Sequence, residues 1–100
     1  MGRGKKESFE KVVPLYRIVV SKSAEKDLKR ISTSVLNRIA VKVDALAEDP
    51  RPSGSKKLKG TQEELWRIRV GDYRIIYEIG DELKLVDIRR IRHRKDVYDR

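Results

Sequence analysis

The side chains of this sequence that are best suited to chemistry are three arginines placed around the dipeptide Gly71-Asp72. They are Arg67, Arg69 and Arg74. A planar guanidinium binds a phosphate through two donors. Several guanidinium groups at one place can therefore hold a phosphodiester and stabilise the charge that gathers on its oxygens during substitution. The pattern favours chemistry at a phosphate.

Two residues near the end of the chain are candidates for moving protons. His93, with a reference pKa of about 6.5, could act as acid or base near neutrality, whereas Tyr98, with a reference of about 10, needs help from nearby cations. This set suits cleavage of RNA by its own 2′-hydroxyl, which attacks the adjacent phosphate and leaves a 2′,3′-cyclic phosphate. One histidine cannot perform both proton transfers, and the alternative interpretation of His93 is an ordinary residue of a basic tail.

The dipeptide Gly71-Asp72 predicts a two-residue hairpin loop between strands over residues 65–70 and 73–77. In that register Val70 lies opposite Tyr73, and opposed residues share a face of the sheet. The apolar side chains then form one surface and the three arginines gather on the other. The apolar set is Trp66, Ile68, Val70, Tyr73, Ile75 and Tyr77. A slip of one residue would scatter the arginines over both faces.

A structural ion pair is the alternative explanation for part of this cluster. The dipeptide Gly80-Asp81 repeats the turn signal before a predicted strand over residues 83–88, and a two-residue loop there places Asp87 opposite Arg74. One acid cannot neutralise four arginines, so surplus positive charge is expected to remain on that face. The four are Arg67, Arg69, Arg74 and Arg89.

The other elements predict a single α+β domain. Residues 15–20 have the composition of a first strand, and residues 23–31 that of a short helix capped by Ser23. Residues 35–46 show helical spacing of apolar side chains up to Asp49-Pro50. The expected architecture is an N-terminal strand, a two-helix hairpin, a three-stranded antiparallel meander packed on the helices, and a basic C-terminal tail. Residues 1–14 are expected to form a flexible N-terminal extension, and residues 15–100 the folded domain.

The composition limits the classes of function. The 100 residues carry 25 Lys+Arg against 16 Asp+Glu, a formal net charge of +9, which favours polyanionic partners. No cysteine is present, so disulfides and thiolate metal sites are excluded. A Gly-rich phosphate loop, paired histidines, a nucleophile elbow and an acidic metal cluster are also missing, so we expect no cofactor and no metal. No apolar run is long enough to span a membrane, and we expect a soluble, cytoplasmic protein.

Six further basic residues are candidates for contact with RNA phosphates. Lys56, Lys57 and Lys59 belong to a loop over residues 51–60, whereas Arg89, Arg94 and Lys95 belong to the basic tail. Charged loops and tails are most often solvated surface, which is the competing interpretation for all six.

Three segments have a recognisable sequence when taken together. They are Leu58-Lys59-Gly60, the hairpin from Leu65 to Tyr77, and the ending His93-Arg94-Lys95-Asp96-Val97-Tyr98. With the order of elements, they resemble the RelE branch of the RelE/ParE toxin superfamily over about residues 16–98. The resemblance implies a toxin of a type II toxin-antitoxin system, a metal-free endoribonuclease that cuts mRNA on the ribosome. It also implies an acidic RelB-like antitoxin as partner in a hetero-oligomer.

The resemblance assigns roles to particular residues. Arg67 and Arg69 match a basic pair on the family's second strand, and Arg74 matches its phosphate-contacting arginine. Arg92 matches the arginine proposed as general acid, and Tyr98 the tyrosine proposed as general base or as a base-stacking group. Relatives often carry lysine at the first two positions, and arginine is a far poorer proton carrier than lysine.

Two other functions stay open from the sequence. The ParE side of the superfamily implies a non-enzymatic inhibitor of DNA gyrase, for which the helix faces and the tail would matter more than the arginines. The third candidate is a basic nucleic-acid-binding module without activity. It ranks last because Trp66 and most of the tyrosines are expected to be buried, where they cannot stack on bases.

Overall fold

Five strands form one sheet in the order β1-β5-β4-β3-β2, and two helices cover one of its faces. The structure, a computed structural model, describes residues 15–60 and 62–95. Its elements are β1 (Arg17–Val20), α1 (Lys22–Leu28), α2 (Thr33–Ala45), β2 (Lys56–Lys57), β3 (Leu65–Val70), β4 (Tyr73–Gly80) and β5 (Leu85–His93). The predicted α+β fold is confirmed, with the addition of β2 inside the expected loop. Strand β1 pairs with β5 in parallel, whereas the other pairs are antiparallel.

Both helices follow a serine at the N-cap position, but only in α1 does the serine hydroxyl accept a cap hydrogen bond. The Ser21 hydroxyl caps α1 by accepting a hydrogen bond from the Ala24 N–H at 3.2 Å, two residues earlier than the predicted cap at Ser23. The same hydroxyl donates to the Arg89 carbonyl at 3.0 Å, which ties the start of α1 to β5. Helix α2 follows Ser32 and ends at Ala45, before the predicted end at Asp49. No helix in residues 15–60 and 62–95 is long and apolar enough to cross a membrane.

The hairpin register predicted from Gly71-Asp72 is confirmed. Val70 lies opposite Tyr73 and Arg69 opposite Arg74, and Gly71 has the positive φ of +58° that the tight loop requires. The apolar face of β3 and β4 packs against the helices. The core of the domain consists of Ala24, Ile31, Ile39, Leu46, Ile68, Val70, Ile75, Tyr77, Ile79, Val86, Ile88 and Ile91.

The predicted connection between β4 and β5 is wrong. Gly80 pairs with Leu85, so residues 81–84 form a four-residue loop, and Lys84 adopts a φ of +54°. Further along, the register shifts by one residue, because Ile76 pairs with Arg90 while its neighbour Tyr77 pairs with Ile88. Arg89 is the extra residue of this β-bulge.

The longer loop and the bulge overturn the predicted ion pair between Arg74 and Asp87. Asp87 lies opposite Glu78, and Arg74 lies opposite Arg92. The predicted basic tail is also corrected, because Arg89 to His93 belong to β5. Residues 1–14, predicted to be a flexible extension, lie outside the described residues.

A buried tyrosine offers a test of the core. The Tyr77 side chain is fully buried, its hydroxyl donates to the Pro50 carbonyl at 2.8 Å, and burial raises its pKa to about 12. We expect Tyr77→Phe to lower the free energy of unfolding by about 1–2 kcal/mol, because the Pro50 carbonyl loses its donor. Urea denaturation measures the change. Tyr16→Phe is the matched control, since the Tyr16 hydroxyl bonds the exposed Asp81, and an equal loss in both variants would contradict the prediction.

Candidate functional site

The sheet face that points away from the helices carries the predicted arginines in two rows that cross the strands. In the first row, Arg69 of β3 lies opposite Arg74 of β4, which lies opposite Arg92 of β5. In the second row, Lys56 of β2 lies opposite Arg67 of β3. Arg67 in turn faces Ile76, which faces Arg90. We call this surface, defined by Arg67, Arg69, Arg74 and Arg92, the arginine face.

Acidic residues occupy the other end of the same sheet surface. Glu78 and Asp87 form the next opposed pair beyond the bulge. Arg89 pairs with Glu78 of this pair and with Glu63, its Nη1 atom lying 2.9 Å from Glu78 Oε1 and 3.1 Å from Glu63 Oε1. The surface is therefore divided along the strands, with paired charges at one end and arginines at the other.

The acids in the described parts of the chain do not neutralise the arginine face. In residues 15–60 and 62–95, none of its four arginines forms an ion pair with an acid. Burial lowers the pKa of Arg67, and the nearby charges of Arg69 and Arg74 lower it further. Like charges opposed across strands destabilise a sheet, so an anionic ligand that bridges them would be bound favourably.

A cavity of about 210 Å³ lies at the hairpin end of the arginine face. Its lining consists of Arg69, Gly71, Asp72, Tyr73, Arg74 and Arg94. The chain after β5 closes one side, since the Arg94 N–H donates to the Asp72 carbonyl at 2.7 Å. The Arg94 guanidinium lies 3.7 Å from the Asp72 carboxylate, both largely exposed. Three arginines around one small cavity form a site suited to a phosphate group.

The structure does not bring His93 together with these arginines. His93 lies opposite Tyr73 on the helix side of the sheet, where the two rings meet edge to face with centroids 5.0 Å apart. Its Nδ1 atom accepts a hydrogen bond from the Lys95 N–H at 3.1 Å. Because side chains alternate along a strand, Arg92 and His93 must point to opposite faces. Tyr98, the other predicted proton carrier, lies outside the described residues.

The six residues predicted to contact RNA have different environments. Lys56 is exposed on the arginine face, and Lys59 and Lys95 are exposed at the surface. Lys57 is paired with Glu64 at 3.1 Å. Arg89 and Arg94 form the contacts described above. Lys56 and Arg94 are thus the members of the set nearest the arginine face.

The role of Asp27 was missed by the sequence reasoning. Its carboxylate accepts hydrogen bonds from Arg90 Nε at 2.9 Å, Arg90 Nη2 at 3.3 Å and the Ile91 N–H at 2.9 Å. Strand β1 ends at Val20, opposite Ile88, so it does not pair with β5 beyond that point. There the carboxylate of Asp27 in α1 accepts the hydrogen bond of a β5 backbone N–H instead. Burial opposes ionisation, but the Arg90 and Ile91 hydrogen bonds outweigh it and the pKa of Asp27 lies below its ordinary value. From the sequence, Asp27 is expected only as an acid in the first turn of a helix capped by Ser23, whereas the structure places it near the end of α1.

Comparison with known proteins gives matches along most of the chain. A family model described as the ParE toxin of the type II toxin-antitoxin system, parDE, matches residues 18–98. The chain is also 33% identical over 91 residues to Toxin RelE3 of Methanocaldococcus jannaschii. The aligned region covers 83% of this chain and 96% of that protein.

Two of the solved structures that share the fold are at least 30% identical to this chain in sequence. A chain of the archaeal RelE-RelB complex from Pyrococcus horikoshii gives a TM-score of 0.71 at 31% identity, covering 80% of this chain and 96% of that one. A chain of the RelB-RelE antitoxin-toxin complex from Methanococcus jannaschii gives 0.67 at 30% identity, covering 81% and 95%.

Proposed function

Because this chain belongs to the RelE/ParE superfamily of type II toxins, in its RelE-like branch, we propose that it is an endoribonuclease that cuts mRNA on the ribosome and so inhibits translation. The observation that carries the proposal is the arginine face. Four arginines from three adjacent strands share one surface without an acidic partner in the described parts of the chain.

The reaction that fits this surface is an internal displacement at phosphorus. The 2′-oxygen of one nucleotide forms a bond to the adjacent phosphorus, and the bond from phosphorus to the 5′-oxygen of the next nucleotide breaks. The products are a 2′,3′-cyclic phosphate and a free 5′-hydroxyl. Arg69, Arg74 and Arg92 lie side by side across the sheet, so they supply donors to the phosphate oxygens as negative charge grows there.

The two proton transfers are assigned by the family resemblance. Arg92 would protonate the departing 5′-oxygen, and Tyr98 would take the proton of the 2′-hydroxyl or stack on a base. The position of His93 on the helix side of the sheet supports leaving it out of these steps. The substrate supplies the nucleophile and the arginines supply positive charge, so the proposed reaction needs no metal.

The chemistry of the product ends tests this mechanism. We expect mRNA cut on ribosomes by the purified protein to carry 2′,3′-cyclic phosphates and 5′-hydroxyl ends. A polynucleotide kinase labels a 5′-hydroxyl directly, whereas a 5′-phosphate must first be removed. Products with 5′-phosphates would rule out attack by the 2′-oxygen. The same message with 2′-O-methyl groups is the control, because it lacks the nucleophile and should stay intact.

An acidic antitoxin of the RelB type is the proposed partner. Similar chains occur in complexes named RelE-RelB, and the arginine face offers acidic side chains the same donors that it offers phosphates. Such a partner would inhibit by occupying the phosphate sites. Adding it to the cleavage assay should stop product formation, and continued cleavage by the saturated complex would exclude this mode of inhibition.

Inhibition of DNA gyrase is the second candidate, since the matching family model bears the ParE description. In that case the arginine face would not be needed for toxicity. Pulse labelling after induction separates the two functions. Protein synthesis should stop before DNA synthesis if the chain cuts mRNA, and the reverse order would favour gyrase.

A further inference from the structure

A second and larger cavity adjoins the arginine face at the outer edge of β3. Its volume is about 440 Å³, within the range of about 300–1,000 Å³ that is usual for ligand sites. The walls come from α2, the loop over residues 52–54, Lys56 and β3. We call it the edge cavity.

The edge cavity exists because β2 is short. Lys56, the first residue of β2, pairs with Arg67, so within the described residues no strand lies along the outer edge of β3, opposite β4, from Ile68 to Val70. Along this edge the Leu58 N–H donates to the Leu65 carbonyl. Every second residue of β3 directs its backbone N–H and C=O groups to the same side of the strand. The peptide groups of Arg69 therefore point toward the open edge, where they are available to a ligand.

The lining of the edge cavity combines positive charge with an apolar wall. Lys42, Lys56, Arg67 and Arg69 contribute four cations, and among the residues that the structure describes no acid lines the cavity. Ala45, Pro52 and Ile68 supply the apolar surface. Cations suit a phosphate, and a partly apolar wall with free peptide groups suits a nucleobase. The combination fits a nucleotide better than a free inorganic anion.

Arg69 connects this cavity to the smaller one beside Arg74, because it lines both. We propose that the edge cavity binds the nucleotide next to the scissile phosphate, so that Arg69 contacts two consecutive phosphates of one RNA strand. This inference rests on the proposed function for the identity of the strand. It adds Lys42, on a helix outside the arginine face, as a substrate-binding residue.

The salt dependence of RNA binding tests the proposal with the full-length protein. The probe is a short 2′-O-methyl RNA, which cannot be cut by attack of its own 2′-oxygen. Each phosphate contact on a single strand adds about 0.7 to the slope of log K against log salt. We expect Lys42→Ala to lower that slope by about this amount and to weaken binding by up to about fivefold. Lys26→Ala is the matched control, since Lys26 is an exposed helical lysine that lines neither cavity.

A second variant tests the cavity by volume rather than by charge. Ala45 is exposed at the end of α2, so Ala45→Phe should fill the edge cavity and leave the thermal midpoint unchanged. We expect weaker binding of the same probe. Equal slope changes in Lys42→Ala and Lys26→Ala, or wild-type affinity in Ala45→Phe, would overturn the proposal. Because the probe is not cut, these results are independent of the product-end assay. Products with 5′-phosphates in that assay would refute the proposed cleavage but would leave the edge cavity as an RNA-binding site.

Discussion

Replacement of Arg74 by glutamine should nearly abolish cleavage and at the same time stabilise the fold. Arg74 is the middle residue of the row formed with Arg69 and Arg92, so it is placed to contact the phosphate from the centre of the site. Removing one preorganised donor of this kind typically costs about 10²–10³ in rate. The same change relieves two opposed pairs of like charges. We therefore expect a gain of about 0.5–1 kcal/mol in the free energy of unfolding.

Mapping of mRNA 5′ ends after induction measures the first effect, and thermal unfolding measures the second. The stability gain corresponds to a rise of about 2–6 °C in the unfolding midpoint for a domain of this size. Arg17→Gln is the matched control, because Arg17 is an exposed arginine on a strand of the same sheet and lies opposite Leu85, away from the arginine face. Wild-type cleavage by Arg74→Gln would refute the proposed site. Lost cleavage with lost stability would indicate a structural role instead.

Replacement of Asp27 by alanine should cost about 2–3 kcal/mol of stability, the largest loss that we expect from a single change outside the apolar core. The side chain of Asp27 is 16% exposed, and its removal breaks the ion pair with Arg90 and the hydrogen bond from the Ile91 N–H. Asp27→Asn retains an oxygen for the Ile91 N–H, so it should lose about half as much. Glu25→Ala on the same helix is the control, because Glu25 is exposed.

The contribution of Asp27 should also depend on pH in a defined direction. Its pKa in the folded protein lies below its ordinary value, so the unfolded chain takes up the proton first as the pH falls. The stabilisation is fully present above the unfolded pKa of about 4 and is lost as the pH drops through the folded pKa. Denaturation at several pH values should show a constant gap between wild type and Asp27→Asn from pH 8 to 5, and a shrinking gap below about pH 4. A gap that widened in acid would contradict the assigned ion pair.

The sequence by itself determined the hairpin and the common face of its arginines. Gly71-Asp72 supplies a local backbone conformation that only a tight loop uses, and alternation along the two strands then decides which side chains lie together. Arg67, Arg69 and Arg74 are therefore placed by short-range rules. The capping serines and the helical spacing of α2 are also encoded locally. The predicted helix ends lie within a few residues of the observed ones.

Only the tertiary structure decided what lies beside that hairpin. The sequence at Gly80-Asp81 is compatible with a short loop. The contacts of β5 decide otherwise, because β5 pairs with both β4 and β1 and buries Ile91 in the core. Together these contacts select the four-residue loop and the bulge at Arg89. These shifts put Arg92 where Asp87 was predicted and turn His93 to the helix side. Local propensity cannot fix such a register, because its free energy comes from contacts between residues far apart in the chain.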